Sequence, residues 1–150
     1  MKIILIWMCS IFLLITACSF SEPEQLVIAD DEIAEETGQF VELYKKTMIE
    51  AVNTRNFNIL EPYLISNNSF YHSLRHYVEE LGISGAKKEL LTFQVDTVYV
   101  DEIGNIYVDV YEEVELFEES GETIIERNVQ YELTRGKDET LRVVTIRERK

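Results

Sequence analysis

The chain changes its hydrophobic rhythm three times, and each change marks a different kind of segment. It starts with an apolar run from Ile3 to Leu14 behind a single early lysine, Lys2. From Ser19 to Glu36 apolar positions thin out, and Glu22, Glu24, Asp30, Asp31, Glu32, Glu35 and Glu36 have no basic residue among them. A period near 3.6 follows. Phe40, Leu43, Tyr44, Thr47, Met48, Ala51 and Val52 share one helical face, which predicts a helix from about Thr37 to Val52 with Asn53 as its stop. Asn56 is placed to cap a second helix carrying Phe57, Leu60 and Leu64, which Pro62 keeps short. Ser66-Asn67-Asn68-Ser69 reads as a turn and N-cap for a third helix with Phe70, Leu74, Tyr77, Val78 and Leu81 inside and Gly82 as the stop.

Beyond Lys88 the period falls to two. Leu91, Phe93, Val95 and Tyr99 alternate with Thr92, Gln94 and Asp96, and Gly104-Asn105 turns the chain. Ile106, Val108, Val110, Val114 and Leu116 form the next strand face, interrupted by Glu112, with Tyr107, Asp109, Tyr111, Glu113, Glu115 and Phe117 opposite. After Ser120-Gly121 come Ile125, Val129, Tyr131 and Leu133. After Gly136-Lys137-Asp138 the run Leu141 to Ile146 is apolar on both faces, as a central strand would be. Short turns between long strands imply antiparallel pairing. Helices first and strands after give an α+β domain, with three N-terminal helices packed on a bent antiparallel sheet of about four strands.

The opening run changes the picture of where this domain works. It is short of the ~20 apolar residues a membrane-spanning helix needs. A basic start, a short apolar core and small residues beyond it describe a secretory leader. Ile15-Thr16-Ala17-Cys18 resembles a bacterial lipobox, with Ile15, Thr16 and Ala17 as the peptidase recognition site and Cys18 as the point of lipid attachment. The expected organisation is a lipoprotein signal peptide over residues 1–17, an acidic tether over 18–36 and a folded domain over 37–150. Like charges would extend that tether to at most about 60 Å at ~3.3 Å per residue. The expected location is the outer face of the cell membrane, held by acyl chains such as palmitate on Cys18. Cys9 would leave with the leader, so the mature domain would hold no free thiol, no disulfide and no cysteine set for zinc.

Charge narrows the partners. With 14 basic and 28 acidic residues the chain carries −14, which repels nucleic-acid phosphates and anionic lipid headgroups. A cationic peptide, an envelope protein or a wall component fits better, and no nucleic acid is expected.

Several stretches resemble the C-terminal NTF2-like (cystatin-like) domain of TcaA-type proteins, the teicoplanin-resistance-associated membrane proteins of Gram-positive bacteria. They are Ala51-Val52-Asn53-Thr54-Arg55-Asn56-Phe57, Leu60-Glu61-Pro62-Tyr63-Leu64, Ser69, Tyr71, Tyr77, Leu81, Leu91-Thr92-Phe93-Gln94-Val95, Tyr107 to Glu113, and Tyr131-Glu132-Leu133. The resemblance covers residues 40–148 and implies an NTF2-like cone displayed outside the membrane, with a role near the cell wall or in glycopeptide response. TcaA-type proteins usually add a zinc ribbon, a spanning helix and further domains, and a lipid anchor would stand here in place of the spanning helix. Domains of this fold often pair through the open sheet, so a homodimer is compatible with the resemblance.

Candidate chemistry is sparse. His72 and His76 share a helical face, but Ser73 stands where a zincin-type motif needs its glutamate, so they read as solvent-edge residues. The acidic run Tyr111 to Glu119 splays its carboxylates to alternate faces and does not converge on an ion. No cofactor or metal is expected. Glu112 stands out because it breaks an apolar face, which predicts a buried carboxyl with a raised pKa and Arg127 as its partner. Tyr111, Glu112, Arg127 and Tyr131 form a candidate pocket. The favoured reading is a non-catalytic binding or interaction domain, and the alternative is an isomerase- or dehydratase-like enzyme working in the cone.

Overall fold

The computed structural model describes residues 25–149. The leader, Ile15, Thr16, Ala17 and Cys18 lie outside the described residues. The folded part begins before the expected boundary at residue 37. Val27–Ile28 form a short strand, β1, and helix α1 runs over Asp31–Thr54. Asp30 caps the helix, its Oδ1 accepting from the Ile33 amide at 2.9 Å. Asp31 and Glu32 lie in the first turn, where the helix dipole favours negative charge. Acidity that suggested a stretched tether therefore serves a helix start at its C-terminal end.

The buried face of α1 is also rotated from the expected stripe. Val41, Tyr44, Lys45, Met48, Ile49, Ala51 and Val52 are buried, whereas Leu43 is 54% exposed. The helix ends at Arg55 in the left-handed region, φ 57°. Asn56 caps a 3-10 helix, Phe57–Tyr63, with Pro62 inside it. Helix α2 spans Ser69–Ser84 under the cap of Asn68, which accepts from the Tyr71 amide at 2.7 Å. It passes through Gly82 and ends at Gly85, φ 75°. Gly82 has a different purpose: a Cβ there would lie 3.2 Å from Cγ of Arg55, so the glycine lets α2 approach the end of α1.

Among the described residues five strands form one antiparallel sheet in chain order, β1 followed by β2 (Lys87–Val100), β3 (Ile106–Glu118), β4 (Gly121–Arg135) and β5 (Leu141–Arg149). The extra strand is β1, whose Val27 and Ile28 pair with Val100 and Tyr99. Irregularities at Leu90/Thr92 and Val95/Thr97 each shift the register of β2. The alternation expected for Leu91, Phe93, Val95 and Tyr99 is broken there. Phe93, Val95 and Val98 pair with the inward residues Glu112, Val110 and Val108, while Leu91 is 43% exposed. Strand β5 is an edge, paired among the described residues with β4 alone but for a single bridge from Leu64 to Val143.

The helices cover one face of the sheet. Val41, Tyr44, Met48 and Val52 join Leu60, Val78, Val108, Val110, Val129, Tyr131 and Leu133 in a common core. Burial of this apolar area, at roughly 25 cal/mol per Å², is the main force holding the layers together. Asn53 fastens them at one end, since its side chain donates to Lys88 O and accepts from Lys88 N, both at 2.8 Å. The other sheet face is mixed, with Tyr107, Phe117 and Ile124 among charged residues. Asp109 accepts from Gln130 at 2.9 Å and pairs with Arg149, and Arg147 pairs with Glu132 at 2.8 Å.

Candidate functional site: a buried ion cluster beneath a cleft

Strand pairing places Glu112 of β3 directly across from Arg127 of β4, both facing the helices. Helix α1 brings Lys45 over them from 67 residues away. Glu112 Oε1 accepts from Lys45 Nζ at 2.8 Å and from Arg127 Nε at 2.6 Å, and Oε2 accepts from the Tyr131 hydroxyl at 3.3 Å. Glu112 and Lys45 are 0% and 1% exposed. The expected partnership of Glu112 with Arg127 is present, and Tyr131 joins it.

Two expectations for this site need correction. Burial does push the Glu112 carboxyl up, but the charges and hydrogen bonds of Lys45 and Arg127 outweigh it, so its pKa is lowered rather than raised. Glu112 is an ionised carboxylate with both oxygens engaged, a poor proton acceptor for general base chemistry. Tyr111 lies on the opposite face of β3, where its hydroxyl donates to Glu113 Oε1 at 2.5 Å. The two-residue strand period separates it from its neighbour Glu112.

Three residues of the site escaped the sequence reading. Lys45 is the first, held down to about 8 by burial, with Glu112 opposing that shift. Its signal was present, because a lysine between Val41 and Ile49 occupies the core-facing stripe once that stripe is set correctly. Lys88 is the second. It is 7% exposed, its ammonium lies 4.8 Å from the centre of the Tyr77 ring and contacts the Tyr77 hydroxyl, and burial lowers it to about 8. Tyr44 is the third, 1% exposed, its ring packed edge-on to Tyr131 at 6.0 Å. Burial first, and Glu112 second, push both the Tyr44 and Tyr131 phenols upward.

Above this cluster lies a cleft of about 330 Å³ between the helices and the β4–β5 end of the sheet. Met48, Phe70, Leu74, Val129 and Ile146 give it apolar walls, while Tyr44, Lys45, Tyr77, Arg127, Tyr131 and Glu148 supply polar groups. His72 and His76 take no part. His76 lies 3.2 Å from Glu80 on the surface, and His72 packs edge-on to Tyr71. Among the described residues no group of three or more His, Cys, Asp or Glu side chains is arranged to hold a metal.

Helices layered on one antiparallel sheet, with a cleft between them, define an NTF2-like α+β domain. Residues 33–147 match the TcaA protein NTF2-like domain, and the chain belongs to that family. An uncharacterized protein of Alkalihalophilus pseudofirmus is 48% identical over 134 residues, covering 89% of this chain and 87% of that one. Among solved structures, the intermembrane space region of the chloroplast protein ARC6 is similar at a TM-score of 0.65 and 17% identity, over 77% of this chain and 95% of that one. Aln2 from a Streptomyces species is similar at a TM-score of 0.56 and 12% identity, over 83% of this chain and 94% of that one. At these identities the two structures speak for the fold alone.

Proposed function

We propose that this protein is a non-catalytic, lipid-anchored binding domain on the outer face of the cell membrane, serving the cell envelope in a wall-related or glycopeptide-response role. Membership of the TcaA NTF2-like family is the observation that carries the reading. The Ile15-Thr16-Ala17-Cys18 motif supports the anchor, and its small residues before the cysteine suit a peptidase that grips extended backbone. Among the described residues no helix is long and apolar enough to cross a membrane. Acyl chains on Cys18 would attach the protein to the bilayer, and an envelope protein, a cationic peptide or a wall component would be its partner. A homodimer through the outer sheet face would pack exposed Ile28 and Ile124 around the Asp109–Arg149 and Glu132–Arg147 pairs.

The alternative, a small-molecule enzyme, has the cleft in its favour. Against it stands Glu112, whose two oxygens are committed to Lys45, Arg127 and Tyr131. Labelling cells with a fatty-acid analogue tests the anchor. Label on the wild type and none on Cys18→Ala is the expected result, and equal labelling of the two refutes it.

A further inference from the structure

We infer that the cleft over Glu112 binds a small amphiphilic monocarboxylate, its carboxylate held by Arg127, Lys45 and the Tyr44 hydroxyl and its apolar body by the walls between α1, α2 and β4. The inference gives the proposed binding domain a ligand class. It rests on that domain being a binding one and not on the lipid anchor.

Four observations converge on it. First, the Tyr44 side chain lines the cleft, is 1% exposed, and its hydroxyl is buried with no hydrogen-bond partner among the described residues. A buried phenol without a partner is costly, and a ligand oxygen would relieve it. Second, Arg127 uses only Nε on Glu112. Its two terminal nitrogens make no hydrogen bond within the described residues, and the side chain is 34% exposed at the cleft. That leaves a planar edge of the kind that grips a carboxylate.

Third, the buried charges are unequal. Lys45 and Lys88 are buried with one carboxylate of the cluster, Glu112, while the carboxylates of Glu148, in the lining, and Glu118, near Tyr77, are exposed at its margin. Lys88 has no carboxylate partner among the described residues and rests on Tyr77. A singly charged carboxylate suits such an interior better than a doubly charged phosphate, which would meet Glu112 at close range. Fourth, Met48, Phe70, Leu74, Val129 and Ile146 form an apolar wall beside these polar groups, on which a short alkyl or aryl body can pack.

Isothermal titration of the full chain in a nonionic detergent tests this with 3-phenylpropionate and its neutral amide, and with octanoate and octanamide, each against a detergent blank. At least one acid should bind at one per chain and about tenfold tighter than its amide, as a charge-assisted hydrogen bond implies. Arg127→Gln should erase the preference for the acid. Tyr44→Phe keeps the ring and should weaken the acid by about threefold to tenfold without lowering the melting temperature. Equal affinity for acid and amide overturns the inference, as does saturable binding of neither acid below about 1 mM. So does a Tyr44→Phe variant that gains stability and binds the acid unchanged. Because lipidation is read separately at Cys18, loss of the carboxylate site leaves the envelope reading intact, and loss of the anchor leaves the carboxylate site intact.

Discussion

Glu112→Gln should lower the stability of the domain by about 3 kcal/mol at pH 7, within the 3–5 kcal/mol range seen when a buried pair loses one member. The substitution keeps the volume of the side chain, removes its charge and turns one of its two acceptor oxygens into an NH2 donor. The Lys45 and Glu112 side chains are 2% and 1% exposed, so solvent screens their attraction little. Lys45 would then stay charged without its counter-ion or lose its proton. The second route sets a ceiling of about 5 kcal/mol, from the gap between pH 7 and the ordinary lysine value near 10.5 at ~1.36 kcal/mol per pH unit. Arg127 adds less, because a side chain that is 34% exposed can turn its charge to water. Urea unfolding followed by circular dichroism measures the change, and a melting temperature lower by about 10 °C should accompany it. In a cycle built from Glu112→Leu and Lys45→Met, the double variant should be more stable than either single one, with a coupling of at least about 2 kcal/mol. A loss below about 1 kcal/mol for Glu112→Gln, or a coupling near zero, would refute the view that this pair organises the interior.

Other parts of the fold carry their own tests. Asn53→Ala removes both hydrogen bonds to the Lys88 backbone and should cost about 2 kcal/mol in urea unfolding, with faster amide exchange at the start of β2. Gly85→Ala forces a Cβ into φ 75° and should cost about 1 kcal/mol, readable as a lower melting temperature. At the alkaline end, the Tyr44 and Tyr131 phenols are raised by burial and by Glu112, so the unfolded chain releases their protons first, near pH 10. Stability therefore falls as pH rises above about 10, and the last tyrosine absorbance change should coincide with unfolding. At the acid end Glu112 is lowered in the fold, so the unfolded chain binds its proton first. The stability Glu112 contributes is present above about pH 4.5 and is lost as pH falls through its folded value, which an acid titration followed by circular dichroism reads.

Much of the architecture was legible in the order of residues. The caps at Asn56 and Asn68, the turns at Gly104-Asn105 and Gly121, and the inward face of β3 are local features, and each is where its residue types imply. The errors were local too. Leu43 and Thr47 drew the α1 stripe one step off its axis, because at 3.6 residues per turn two neighbouring stripes share Tyr44, Met48, Ala51 and Val52. Register irregularities in β2 moved Leu91 and Tyr99 off the face that simple alternation gave them. The acidic segment before Thr37 implies repulsion and extension, whereas Asp30 and Asp31 act on the free amides of a helix start.

The sequence by itself determined the class of the domain, the antiparallel order of its strands and the anomaly of Glu112 on an apolar face. Periodicity, turns and caps are written within a few residues of one another, so they can be read without the fold. Only the tertiary structure decided what Glu112 is. Its protonation depends on Lys45, which lies 67 positions away in the chain and 2.8 Å away in space. Burial alone would raise a carboxyl, and two cations brought beside it reverse the sign. The cleft above it follows the same logic. Tyr44, Arg127 and Lys88 come from a helix and two strands, and no spacing in the chain records that packing sets them around one ion cluster.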